Sequence, residues 1–150
     1  MRALLQRVSS ASVTIAGETV SSIGPGFLVL LGIAIGDDRT NSEWLCGKIA
    51  RMRVFEDVEA KMNRSILDTG GDILVVSQFT LYASTKKGNR PSFLAAAAPA
   101  VSEPLYESFC ENLSTALGKP VARGVFGADM KVSLTNDGPV TIWIDSRDRE

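Results

Sequence analysis

One hundred and fifty residues, 45% of them hydrophobic and 22% charged, fit one compact domain with a buried core. A formal net charge of −1 excludes broad, sequence-independent coating of nucleic acid, which depends on many Lys and Arg contacts to phosphate, and leaves room for a small local contact with RNA. Histidine is absent, which removes the commonest general base, the commonest zinc ligand and every Ser-His-Asp or Cys-His arrangement.

From Arg2 to Ile35 polar and apolar residues alternate and break at "AGE", "IGPG" and "IGDD", which predicts three or four strands joined by tight turns. The opening "MRALLQRVSSASVTIAG" lacks an apolar stretch of signal-peptide length, and Phe27 to Ile35 is too short an apolar run to span a bilayer. The expected address is the cytoplasm, with no membrane partner. "NSEWLCGKIARMRVF" changes period: Trp44, Leu45, Ile49 and Met52 recur at helical intervals, with Asp38, Thr40 or Asn41 available as N-cap. "DILVVSQFTLYA" returns to a strand, apolar enough at first to lie centrally in a sheet. "AAAAPA" suggests a small-residue helical turn or packing face.

A second helix follows in "SEPLYESFCENLSTALG", where Leu105, Phe109, Leu113 and Leu117 step by four, Ser102 stands as N-cap, Pro104 in the first turn and Gly118 as the stop. Cys46 and Cys110 both fall in helical patterns and are expected to be free, buried thiols. Three further strands are predicted near Val121 to Val125, Lys131 to Thr135 and Val140 to Asp145, with "NDGPVT" (Asn136 to Thr141) reading first as the turn between the last two. The fold class is α+β: a strongly curved, mostly antiparallel sheet or β-barrel-like core with two main helices packed on it, a single domain over residues 1–150.

Four stretches carry candidate chemistry. At "SQFTLYA" the buried strand turns polar, so Ser77, Gln78, Phe79 and Thr80 sit where main-chain N–H groups can form an oxyanion hole without an ionisable residue; the alternative is that their polar groups satisfy a sheet edge. Thr80 has no base in its motif to activate it as a nucleophile. "TKKGNRPSF" places Lys86, Lys87 and Arg90 around Gly88, either a solvated loop or a cradle for terminal phosphates. "GVFGADMKV" offers Phe126 and Met130 as a seat for a flat ring, or as ordinary core. Glu56, Asp57 and Glu59 lack the calcium-loop pattern and read as surface charge, so no metal is expected; no P-loop or dinucleotide fingerprint is present, and no cofactor is expected.

"SQFTL" at 77 to 81, paired with "NDGPVT" at 136 to 141, resembles the two signature motifs of the D-aminoacyl-tRNA deacylase family. The N-terminal "MRALLQRVSSASVTI", the "RVFED" and "KMNRS" block and "KKGNRPSF" are similar to that family as well, so the resemblance covers essentially the whole chain. It implies a homodimer with active sites at the subunit interface that hydrolyses the ester between a D-amino acid and the 3′ acceptor end of tRNA. It further implies a cis Gly138-Pro139 peptide reaching into the partner's pocket and rejecting L side chains, and activity on glycyl-tRNA. Under the resemblance Thr80 positions rather than attacks, Phe126 and Met130 hold the terminal adenine, and Lys86, Lys87 and Arg90 hold acceptor phosphates. Two other readings stand beside it: a non-catalytic dimeric β module that binds RNA ends or a small ligand, and a hydrolase of free small esters, which would need a nucleophile and base the sequence does not offer.

Overall fold

The computed structural model describes residues 1–149. Its frame is β1 (Arg2–Ile15), whose fourteen alternating residues give it two edges long enough to serve three partners. One edge pairs antiparallel with β3 (Gly26–Gly32) through Arg2 to Val8 and with β2 (Glu18–Ile23) through Ala11 to Ile15. The other edge pairs antiparallel with β8 (Lys131–Asp145) from Arg2 to Thr14, with breaks in register at Arg7 and Ser9. Beyond β3 the sheet turns parallel, through β6 (Asp72–Ser77) and the short β7 (Ala122–Arg123).

Curling this sheet creates two apolar layers, and the alternation of β3 and β6 supplies both. Phe27, Val29, Leu31, Ile73 and Val75 face the helices, whereas Leu28, Leu74 and Val76 pack inside the curl with Val8, Val13 and Ile23. That double burial explains the near-continuous apolar runs in these strands. Helix α1 (Arg39–Arg51) starts at Asp38, which accepts from the Thr40 and Asn41 amides at 2.9 and 3.2 Å while the Asn41 side chain accepts from the Asp38 amide. Leu45, Cys46 and Ile49 of α1 share a core with Phe109, Cys110 and Leu113 of α3 (Pro99–Leu117). Both cysteines are free and buried, as expected. Between the helices run a hairpin of β4 (Phe55–Glu56) and β5 (Met62–Arg64), and a single-turn α2 (Ile66–Thr69). Asp57 is the hinge of that hairpin: its carboxylate accepts from the Glu59 and Lys61 amides and from the Asn63 side chain.

Four local expectations are corrected. "NDGPVT" is no hairpin: both flanks belong to one strand, β8, because each pairs antiparallel with the same neighbour, β1. The strand expected over Val121 to Val125 shortens to Ala122–Arg123, with the Gly124 amide making the last rung of its parallel ladder to the Val75 carbonyl at 2.8 Å. β6 stops at Ser77, and Phe79–Tyr82 forms a 3₁₀ turn instead of extended chain. Helix α3 begins at Pro99 with Ala98 as N-cap, so Ser102 lies inside it and its hydroxyl donates back to the Ala98 carbonyl at 3.1 Å. Of the alanines before it, Ala95 lies in a turn closed by the Ala96 amide on the Phe93 carbonyl, and Ala96 is bridged to Ala34. Among the described residues no helix is long and apolar enough to cross a membrane.

Candidate active site

The end of β6 opens into a cavity of about 580 Å³. Its lining brings Ser77, Gln78 and Phe79 together with Phe126 and Met130, and with Ala96, Ala97 and Pro99 from the approach to α3. Two motifs read separately in the sequence therefore converge. Phe126 is braced from behind: the Tyr106 ring lies 5.9 Å from it, and the Tyr106 hydroxyl donates to the Val75 carbonyl at 2.9 Å. Met130 packs so close to Gly124 that a Cβ there would lie 2.6 Å from its sulfur, so only glycine leaves the methionine in place.

The polar part of the lining has a defined backbone. The Gln78 amide is bound to the Leu31 carbonyl at 2.7 Å, and the first bond of the 3₁₀ turn runs from the Leu81 amide to the Gln78 carbonyl. The amides of Phe79 and Thr80 precede that bond, where a helical turn supplies no internal acceptor. The Gln78 side-chain amide donates to the Thr80 hydroxyl; Gln78 lines the cavity and Thr80 does not. Phe79 is 57% exposed, its ring set edge-on to Phe93 at 5.0 Å. The one ionisable side chain on the lining is Asp129, and its carboxylate is paired with Lys131 at 2.8 Å. Catalysis here has backbone amides, one amide side chain and shape to work with, and no free side-chain base.

Gly138 and Pro139 stand elsewhere on the same subunit. Their peptide is cis, and both residues are exposed on an excursion of β8 that lines no part of the cavity. The excursion is large: pairing stops at Asn136 opposite Val8 and resumes at Thr141 opposite Gln6, so the single residue Arg7 faces four. Arg7 fills that gap. It is only 6% exposed; its Nε donates to the Asp137 carbonyl at 3.0 Å and its Nη1 to the Val54 carbonyl at 2.6 Å, tying the excursion to the segment entering β4. Asn136 closes the base, accepting from the Val140 amide at 3.0 Å and donating to the Thr141 hydroxyl at 2.9 Å. Gly138 has φ +129°, and a Cβ on it would meet Arg7 Nη2 at 3.0 Å and Val140 Cγ2 at 2.8 Å. Sequence reasoning passed over Arg7, whose signal was an arginine on the alternating face of a strand that otherwise buries apolar residues.

Lys86, Lys87 and Arg90 lie exposed on a loop closed by mutual backbone hydrogen bonds between Ser84 and Ser92, and none lines the cavity. The buried thiols offer no alternative nucleophile, because desolvation pushes both Cys46 and Cys110 up to about 12.

Residues 4–145 match the family model described as D-Tyr-tRNA(Tyr) deacylase. A D-aminoacyl-tRNA deacylase of Thermomicrobium roseum is 62% identical over 146 residues, covering 97% of this chain and 94% of that one. One from Bacteroides thetaiotaomicron is 59% identical over 150 residues, covering all of both chains. Among solved structures, the c-Myc DNA unwinding element binding protein superposes with a TM-score of 0.92 at 44% identity, over 97% of this chain and 98% of that one. A probable eukaryotic D-amino acid tRNA deacylase shares the fold, with a TM-score of 0.82 at 21% identity over 95% and 97% of the respective chains.

Proposed function

The chain belongs to the D-Tyr-tRNA(Tyr) deacylase family, and from that premise we propose that it hydrolyses the ester of D-aminoacyl-tRNA and so removes D-amino acids from translation. The observation that carries the reading is the composition of the cavity: Ser77, Gln78 and Phe79 line it together with Phe126 and Met130, and its one ionisable residue, Asp129, is paired with Lys131. An aminoacyl ester is already activated, and the adjacent ribose 2′-hydroxyl can assist. Orientation of such an ester can supply roughly 7–11 kcal/mol of the barrier. Main-chain N–H groups of Phe79 and Thr80 stabilise the developing oxyanion, Gln78 and Thr80 position the ester, and Phe126 with Met130 receives the terminal adenine. Lys86, Lys87 and Arg90 attract acceptor-end phosphates.

The active unit in this reading is a homodimer, with Gly138-Pro139 of each subunit completing the partner's cavity. The exposed position of both residues, outside the cavity of their own subunit, supports it. Rigid backbone gripping the α-amino group excludes an L side chain by clash and accepts a D side chain of any size. Glycine has nothing to exclude, so glycyl-tRNA is also a substrate.

Matched D- and L-tyrosyl-tRNA test the activity: acceleration of the D ester alone is expected, and no acceleration of either returns the protein to a binding module. Thr80→Ala keeps substantial activity if Thr80 positions; an abolished rate with intact tRNA binding overturns that role. For the shared site, a Gly138 variant mixed with a Gln78 variant regains activity only if those residues act from different subunits.

A further inference from the structure

We propose that the outer face of α1 is a second RNA-contacting surface, which binds the phosphate backbone of the tRNA body while the ester occupies the cavity. This rests on the tRNA reading above. The face carries a groove of about 420 Å³ lined by Glu43, Trp44, Gly47, Lys48, Arg51 and Met52, none of which lines the cavity at β6. Three cations converge on it. Arg149 lies over the Trp44 ring at 4.6 Å and Lys48 at 5.5 Å, while the Arg51 guanidinium folds across Gly47 so closely that a Cβ there would lie 2.7 Å from its Nη2. Glycine at 47 is therefore what lets Arg51 lie along the groove instead of pointing away.

The charges are unbalanced. Lys48 and Arg51 have no carboxylate partner within ion-pair distance among the described residues, and the groove's one acid, Glu43, is engaged by Arg39 at 2.6 Å. Cations at the end of a helix complement its dipole, which accounts for Lys48 and Arg51 in the last turn of α1. It does not account for Arg149, brought from the far end of the chain onto the same tryptophan. A concave site with three cations and a flat ring suits a phosphate backbone, with the guanidiniums fitting phosphate oxygens in a planar fork and the indole keeping them in position. With an overall charge of −1, a protein that must hold a large polyanion needs its positive charge gathered in patches, and this is one apart from Lys86, Lys87 and Arg90.

The test is the variant Lys48→Gln/Arg51→Gln/Arg149→Gln, with Lys48→Gln alone, an exposed single change, as the form that keeps the fold. Affinity for uncharged tRNA is measured from 50 to 300 mM salt, and steady-state kinetics on D-tyrosyl-tRNA are compared with those on a D-tyrosyl ester of a short CCA-ended oligonucleotide. Expected for the triple variant are roughly tenfold weaker tRNA binding and a salt slope shallower by about two, from the loss of roughly 0.7–0.9 per phosphate contact. KM for whole tRNA rises while kcat and both constants for the oligonucleotide ester stay at the wild-type values; Lys48→Gln gives a smaller shift in the same direction. A wild-type salt slope and KM in the folded variants overturn the proposal, as does unchanged tRNA binding with lost attachment to anionic vesicles. Absence of deacylation by the wild-type protein would instead defeat the functional reading, and the binding arm would still decide the surface.

Discussion

Arg7→Lys isolates the device that holds the β8 excursion. The substitution keeps the charge and most of the stem, but an ammonium cannot span both the Asp137 and Val54 carbonyls, which the guanidinium bonds at 3.0 and 2.6 Å. Each is a hydrogen bond from a charged donor, worth roughly 1.5–3 kcal/mol, so losing one costs about that much. The pairs to Asp137 and Glu56, at 3.6 and 3.9 Å, reach exposed carboxylates and add little. For a chain of this length each kcal/mol lowers Tm by about 2–4 °C, which places the expected loss at about 3–12 °C. Because the freed end is the one that carries Gly138, kcat/KM on D-tyrosyl-tRNA should fall roughly ten- to a hundredfold, a cost in keeping with a displaced positioning group. Thermal unfolding and single-turnover deacylation on the same preparations read both quantities. Unchanged Tm and unchanged rate would refute the tether; a lowered Tm with an intact rate would detach the excursion from catalysis.

Gly138→Ala puts a side chain on a φ of +129° and within 3.0 Å of Arg7, so a loss of about 1–3 kcal/mol in urea unfolding and reduced D-ester cleavage are expected; wild-type behaviour in both would show that the backbone relaxes freely. Cys46 and Cys110, buried and with pKa values near 12, should resist iodoacetamide at pH 8 in the native protein and react only on unfolding, as mass spectrometry of the intact chain would reveal. Burial opposes ionisation of Asp145, but hydrogen bonds from Arg2 and the Arg147 amide outweigh it and leave the carboxyl below the ordinary aspartate range. A lowered folded-state value means that its stabilising contribution is complete above the unfolded value and disappears as pH falls through the folded one. The urea-midpoint gap between wild type and Asp145→Asn should therefore be widest at neutral pH and close in acid, below about pH 4; a gap constant with pH would contradict the Arg2 pairing.

What was legible in the sequence was what period and capping encode locally. Alternation located β1 to β3, and a change of period with Asp38, Thr40 or Asn41 as possible caps announced α1, of which the structure uses Asp38. Ser77, Gln78, Phe126 and Met130 stood out because polarity or aromatic character changed at a break, and the fold brings them to one cavity. β8 was not legible, since Asp-Gly is the dipeptide of hairpins and only pairing with one common neighbour on both sides identifies a single strand. At α3 the Ser102 hydroxyl competed with a truer signal, Pro99 at the first helical position. The alanines lining the cavity carry no chemistry to notice, and Arg7 acquires its role only from partners 47 and 130 residues away.

The excursion of β8 also bears on how such a protein can change. Pairing with β1 continues on both sides of residues 137–140, so each half of the strand keeps its own alignment independently of the segment between. Insertions or deletions there alter how far the tip extends without slipping a strand face from core to solvent, the usual penalty for a length change inside a sheet. Reach thus becomes a trait that evolution or an engineer can adjust by single residues, while the barrel beneath stays as it is.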